Sequence, residues 1–175
     1  MTLTSIDFDT RKVKTRIEIG HKCDALAVAG DNILLHLHNV EYKIYDVNLV
    51  EVGRIPVRME SAPYLSYCDE KIYFSQREQN TVYCYNMKGN LIWKFKDKDI
   101  RGPHGTAIDT YGNLFVSGFY SNSISVISPN GKHSRNVLNL TDVLSNPSSI
   151  HFNYCLKQLK ISSNCNRILV YDVSY

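Results

Sequence analysis

The sequence has no long hydrophobic run and no excess of one sign of charge. No apolar stretch approaches the roughly 18 residues that a membrane-spanning helix needs. The segment that begins at Met1 has neither the basic nor the apolar region of a signal peptide. The 20 basic and 17 acidic residues leave a net charge of +3, which is too small to indicate nucleic acid or an anionic membrane as the partner. We therefore expect a cytoplasmic chain that does not contact a membrane.

Sequence signatures of metal and cofactor chemistry are also missing. The five cysteines are odd in number and include no C-x-x-C pair, so we expect reduced thiols that serve as small core residues. There is no Cys/His spacing for a zinc site, no phosphate-binding glycine loop and no G-x-S-x-G elbow. The sequence therefore predicts no metal, no cofactor and no small-molecule substrate.

What the sequence does contain is hydrophobic alternation with a period of two. Short runs rich in β-branched and aromatic residues lie between turn-forming residues, which is typical of β-strands. The clearest of these runs are Lys71–Ser75, Thr81–Tyr85, Asn113–Ser117, Ser123–Ile127 and Arg167–Tyr171. This pattern predicts an all-β fold.

The strands recur at a nearly constant interval. Tyr45, Tyr85, Ile127 and Tyr171 end similar strands and are 40, 42 and 44 residues apart. A repeat of about 40 residues with four short strands is typical of a β-propeller blade, and an evenly spaced β-sandwich is the alternative. The central strands of each blade, including Ile168–Tyr171, are expected to be the most buried.

The repeats divide the chain into one partial β-propeller domain, residues 1–175. Complete blades are predicted at residues 21–57, 62–97 and 102–140, an incomplete last blade at 146–175, and the end of a preceding blade at 1–19. We expect about four blades of a propeller of six, truncated on the N-terminal side.

The third repeat carries a family resemblance. Residues 102–131 read G-P-H-G-T-A-I-D, then Y-G-N-L-F-V, then N-S-I, and finally P-N-G, which resembles an NHL repeat. Residues 147–173 are similar to the closing blade of the NHL-like propellers that end many tripartite-motif proteins, which also carry B-box and coiled-coil regions. The resemblance covers roughly the whole chain, strongly at 102–131 and weakly at 21–57.

The resemblance implies a partner-recognition or substrate-recognition propeller. Ubiquitin-ligase activity in that family depends on RING and B-box regions, and no residues here could form them. We therefore expect a non-enzymatic interaction scaffold with a protein partner.

Loops from one end of the blades are predicted to form the binding face. In a propeller, the loops between strands two and three and those between successive blades lie on the same side. The candidate residues in these loops are Lys22, Asp24, His36, His38, Tyr64, Arg77, Arg101, His104, Phe119, Tyr120, Asn122 and Asn164.

Histidines raise the question of metal chemistry. His36 and His38 fall on the same side of a strand and could form half of a zinc site, but no second ligand cluster accompanies them. We expect exposed histidines at a strand end. His104 lies where some propeller enzymes place ligands or bases, so a metal-dependent hydrolase or lyase is a less favoured alternative.

Single-stranded RNA is the other alternative ligand. The run Lys94–Arg101 and the bases Lys12, Lys14 and Arg16 could track phosphates, while Tyr64, Phe119 and Tyr120 offer stacking surfaces. Asp97 and Asp99 reduce the positive field of this run.

Overall fold

The protein has an all-β, β-propeller fold, which confirms the predicted fold class. A computed structural model describes residues 1–59, 64–139, 145–163 and 167–174. Within these ranges the only helical segment is a 3-10 turn at Arg77–Gln79, and no helix is long and apolar enough to cross a membrane. Contacts divide the chain into two units, Met1–Ala62 and Pro63–Tyr175.

The first unit contains two antiparallel sheets. A two-stranded sheet pairs β1 (Thr2–Ile6) with β2 (Val13–Glu18). A four-stranded sheet follows the order of the chain through β3 (Cys23–Ala29), β4 (Asn32–Leu37), β5 (Tyr42–Tyr45) and β6 (Glu51–Ile55). Ile19, Leu35, Leu37 and Tyr45 form a buried cluster, and Leu3 and Ile17 of the first sheet pack against it.

The second unit contains three antiparallel sheets, each also ordered as in the chain. The first comprises β7 (Tyr64–Cys68), β8 (Lys71–Gln76), β9 (Thr81–Asn86) and β10 (Leu91–Phe95). The second comprises β11 (Pro103–Ile108), β12 (Leu114–Gly118), β13 (Ser123–Ile127) and β14 (Ser134–Asn139). The third comprises β15 (Pro147–Asn153), β16 (Gln158–Ser163) and β17 (Ile168–Asp172).

Short polar side chains fix the turns between strands in both units. Asp46, Asn86 and Asp109 each accept two backbone N–H bonds through Oδ1, from the residues two and four positions later. The six donor–acceptor distances lie between 2.8 and 3.0 Å. These bonds satisfy turn N–H groups that would otherwise lack a partner, so the repeated Asp or Asn is a turn former, as the sequence predicts.

Two apolar clusters hold the sheets of the second unit together. Because side chains alternate along a strand, β12 contributes to both clusters. Leu114 and Val116 join the cluster that contains Tyr73 and Trp93, and Phe115 joins the cluster that contains Phe152. All five residues of β12 are buried, which makes this strand the centre of the unit.

The expectation that Ile168–Tyr171 would be among the most buried segments is wrong. This segment lies in β17, the edge strand of its sheet, where Ile168 is 72% and Val170 is 53% exposed. Leu169 and Tyr171 on the other face do pack against the second cluster. The segment is exposed because the described residues supply no sheet against its outer face.

The expectation for the cysteines holds only in part. Cys84 is buried among apolar side chains, whereas Cys23 and Cys68 are half-buried. Cys155 is exposed because it falls in the turn between β15 and β16. Cys165 lies outside the described residues.

Candidate functional site

Five predicted face residues of the second unit come together in one surface group. We call this group, made of Tyr64, Arg77, His104, Phe119 and Tyr120, the aromatic–arginine cluster. The Tyr64 and His104 ring centroids are 4.2 Å apart, and those of His104 and Phe119 are 5.3 Å apart. The Arg77 guanidinium lies 5.6 Å from the Phe119 ring centroid and 5.9 Å from that of Tyr120. Three loops and two strands thus converge on one patch that can stack flat groups and attract anions.

His104 is held in place by the neighbouring sheet. Its Nδ1–H donates to the backbone oxygen of Ser148, 2.9 Å away, and the Ser75 hydroxyl donates to the His104 backbone oxygen. Donation from Nδ1 fixes the tautomer and leaves Nε2 as the acceptor of the neutral ring. His104 therefore offers a fixed hydrogen-bond acceptor between two aromatic rings.

Burial determines the protonation state of the cluster. It lowers the pKa of His104, and the Arg77 guanidinium lowers this pKa further against the opposing effect of the Ser148 hydrogen bond. Burial also raises the pKa of the Tyr64 hydroxyl. At neutral pH the rings are uncharged, so Arg77 supplies the positive charge of the cluster.

Arg77 reaches the rings because the chain makes a 3-10 turn after β8. The turn ends at Asn80, which has a left-handed backbone with φ of 49°. The Asn80 carboxamide oxygen then accepts a 2.7 Å bond from Gly102 N at the start of the next sheet. Gly102 has φ of 61°, and a Cβ there would lie 2.4 Å from a Tyr120 ring carbon. Glycine at this position therefore lets Tyr120 pack directly over the backbone.

Two other candidate residues of this face have structural contacts. Asn122 has φ of 49° and accepts a 2.8 Å bond from Asn146 N, which repeats the role of Asn80 one sheet further along. Arg101 is exposed and donates from its guanidinium to the Tyr120 backbone oxygen at 3.3 Å. Asn122 thus joins adjacent sheets, Arg101 borders the aromatic–arginine cluster, and Asn164 lies outside the described residues.

The close approach of β11 to β15 predicts a strong effect of Gly105→Ala. A Cβ at Gly105 would lie 2.5 Å from the Ser148 backbone oxygen and 2.8 Å from Ile150 N. Because backbone atoms cannot rotate away, we expect the variant to lose about 1–3 kcal/mol of unfolding free energy. Urea denaturation would measure this loss.

Gly53→Ala is the matched control, because its Cβ would meet only the side chain of Ile44, at 3.3 Å. The control should lose less than the Gly105 variant. Equal stability of Gly105→Ala and the wild type would contradict the close approach and the placement of His104.

The four candidate residues of the first unit form a separate group. A β-bulge between Cys23 and Ala25 turns Asp24 toward the end of β4. Asp24 Oδ2 accepts from His38 Nδ1 at 2.5 Å, and Oδ1 lies 3.1 Å from Lys22 Nζ. Burial would raise the pKa of Asp24, but the bonds from His38 and Lys22 outweigh it, and the pKa lies below its usual value.

His36 differs from the expectation of an exposed histidine. Its side chain is completely buried and packs on the Tyr42 ring, with centroids 4.8 Å apart. Neither ring nitrogen has a hydrogen-bond partner among the described residues, and Asp24 Oδ2 lies 3.9 Å from Nδ1. His36 is therefore a core residue that a surface ligand does not reach, whereas His38 is partly exposed.

The described residues also bear on the metal and RNA alternatives. In the parts of the chain that the structure covers, no group of three His, Cys, Asp or Glu side chains is arranged to hold a metal ion. Lys94, Lys96 and Lys98 are exposed along and after β10. Asp97 next to them accepts a 3.0 Å hydrogen bond from Ser134.

Comparisons with known proteins find similar structures but no sequence family. No family profile matches the chain, and no curated protein matches it either. A streptogramin B lyase structure is 14% identical with a TM-score of 0.62, covering 86% of this chain and 54% of that one. Virginiamycin B lyase from Staphylococcus aureus is 13% identical with a TM-score of 0.68, covering 99% and 64%. A protein of unknown function from Bacteroides caccae is 18% identical with a TM-score of 0.63, covering 97% and 64%.

These likenesses establish the fold and nothing further. The chain spans between 54% and 64% of the length of these three structures. At such low identity a shared fold carries no activity from one protein to another, because function depends on the residues of the site.

Proposed function

We propose that this chain is a non-catalytic recognition module that binds a protein partner through the aromatic–arginine cluster. In this proposal it serves as the partner-recognition propeller of a tripartite-motif-like protein. The observation that carries the proposal is the convergence of Tyr64, Arg77, His104, Phe119 and Tyr120 on one patch.

The exposure of these side chains supports binding. Tyr64 is 39% and Tyr120 is 51% exposed, so large rings stand at the surface instead of filling the core. Tyrosine and arginine are enriched among the residues that dominate protein interfaces, because they combine apolar area with directional polar groups. Arg77 is restrained by Glu78, whose Oε1 lies 3.1 Å from Nε, and this restraint lowers the entropy lost on binding.

The proposal is tested by quantitative affinity enrichment with matched variants. We expect Tyr120→Ala and Arg77→Gln each to reduce recovery of a specific partner by about tenfold or more, as for interface residues worth over about 1.4 kcal/mol. Tyr111→Ala is the control, because Tyr111 is 62% exposed but lies at the opposite end of β12. Unchanged recovery with both cluster variants would overturn the assignment.

Single-stranded RNA is the second candidate ligand of the same cluster. The specific observation in its favour is that Tyr64 and Tyr120 expose ring surface beside Arg77, which suits base stacking. Titration with oligouridine at two salt concentrations separates the candidates. Phosphate contacts predict affinity that falls steeply with salt, whereas absence of binding at low salt removes RNA.

A further inference from the structure

The outer side of β17 combines an open sheet edge with an apolar groove. β17 pairs with β16 on one side, and the described residues supply no strand on its other side. A cavity of about 410 Å³ lies beside this edge, between β14 and β17. Its apolar lining includes Val137 and Leu138 of β14, and Tyr171 and Val173 at the end of β17.

The hydrogen-bond register shows which backbone groups of β17 face outward. Val173 N donates to Lys157 O at 2.8 Å, and Ser163 N donates to Arg167 O at 3.3 Å, so odd-numbered residues bond toward β16. Because hydrogen-bonding direction alternates along an antiparallel strand, the even-numbered Ile168 and Val170 direct their N–H and C=O groups toward the open edge.

We propose that an extended segment of a partner protein, with alternating apolar and acidic side chains, adds to β17 as a fourth strand. Its backbone pairs with Ile168 and Val170, and its apolar side chains fill the groove against Val137 and Tyr171. The other two sheets of this unit have four strands, so a fourth strand gives the third sheet the same arrangement. This inference concerns a different surface from the aromatic–arginine cluster and does not depend on it.

Charge around the groove favours an acidic partner. Arg135 and His133 line one side, and Arg135 makes no ion pair with a described residue. The lining carboxylates, Asp109 and Asp172, already accept hydrogen bonds from Asn113 and Gln158. Acidic side chains on the added strand would therefore meet unpaired positive charge, and basic ones would not.

The same reasoning disfavours a second copy of this chain as the strand donor. β2 is an edge strand in a two-stranded sheet, but it carries Lys14 and Arg16 and follows Lys12. Its insertion would place these bases beside Arg135.

The test uses the full chain and a synthetic capped peptide of alternating valine and glutamate, followed by fluorescence anisotropy. We expect binding that Val170→Pro weakens by about tenfold or more, because proline removes an outward N–H without removing a bond to β16. Val170→Thr keeps the N–H and should stay within about twofold of the wild type. A block peptide of the same composition and a valine–lysine peptide should both bind more weakly.

Hydrogen exchange on the wild type provides a readout that does not depend on a variant folding. The valine–glutamate peptide should slow exchange at the Ile168 and Val170 amides and leave Leu169, already bonded to β16, nearly unchanged. Absence of binding, equal binding by the block peptide, or equal binding by Val170→Pro would overturn the proposal. Self-association without peptide that Val170→Pro abolishes would assign the edge to a second copy and overturn it too.

Discussion

Phe115→Ala is expected to lower the unfolding free energy of the second unit by about 3–5 kcal/mol. Phe115 is 5% exposed, and its ring stacks on Phe152 with centroids 6.2 Å apart and an interplanar angle of 14°. The side chain comes from the most buried strand and fills the cluster between two sheets, so truncation leaves a cavity that the surrounding strands cannot close. Urea denaturation followed by fluorescence of Trp93, the single tryptophan, reports directly on this unit.

Lys96→Ala is the control for this measurement. Lys96 is exposed just after β10 and has no printed ion pair, so its truncation should cost less than about 0.5 kcal/mol. If Phe115→Ala were no more destabilising than Lys96→Ala, the stacked-sheet arrangement of the second unit would be wrong.

Acidification should destabilise the first unit through His36. Burial lowers the pKa of His36 from 6.5 to about 4, although Asp24 opposes the shift and His38 adds to it. Since the unfolded chain binds this proton more readily, the stabilising contribution is complete above pH 6.5 and is lost progressively toward pH 4. The loss should reach about 2 kcal/mol at pH 5 and about 3 kcal/mol at pH 4. Asp24, with a lowered pKa, stays ionised at pH 5.

The free energy of opening from hydrogen exchange of β4 amides at pH 7.5 and 5 measures this effect. His36→Leu removes the titrating ring and should flatten the dependence on pH. His133→Gln replaces an exposed histidine of the other unit and should leave the dependence unchanged. A slope that persists in His36→Leu would show that another group controls the first unit.

The sequence predicts the fold because its signals are local. A hydrophobic alternation of two defines strands, and Asp46, Asn86 and Asp109 each close a turn with bonds inside five residues. The burial of β17 could not be predicted this way. Ile168 and Val170 carry the same pattern as buried strands, and only the absence of a covering sheet in the described structure makes them exposed.

The candidate site depends on contacts that are distant in sequence. The loop positions of Tyr64, His104 and Phe119 follow from the repeat, but the contact of Arg77 with Phe119 depends on a 3-10 turn that no pattern marks. Likewise, Asp24 reaches His38 through a β-bulge, and His36 is buried by Tyr42 from the next strand. A sequence shows which side chains are near a loop, but not which of them the packing of neighbouring sheets will cover.

Photo-crosslinking from the proposed recognition surface tests the central claim most directly. A benzoylphenylalanine placed at Tyr120, within the aromatic–arginine cluster, is compared with one placed at Tyr111, at the other end of β12. We predict a discrete crosslinked protein from position 120 that Arg77→Gln diminishes, and none from position 111. Crosslinking from position 111 alone, or from neither position, would contradict recognition by this cluster.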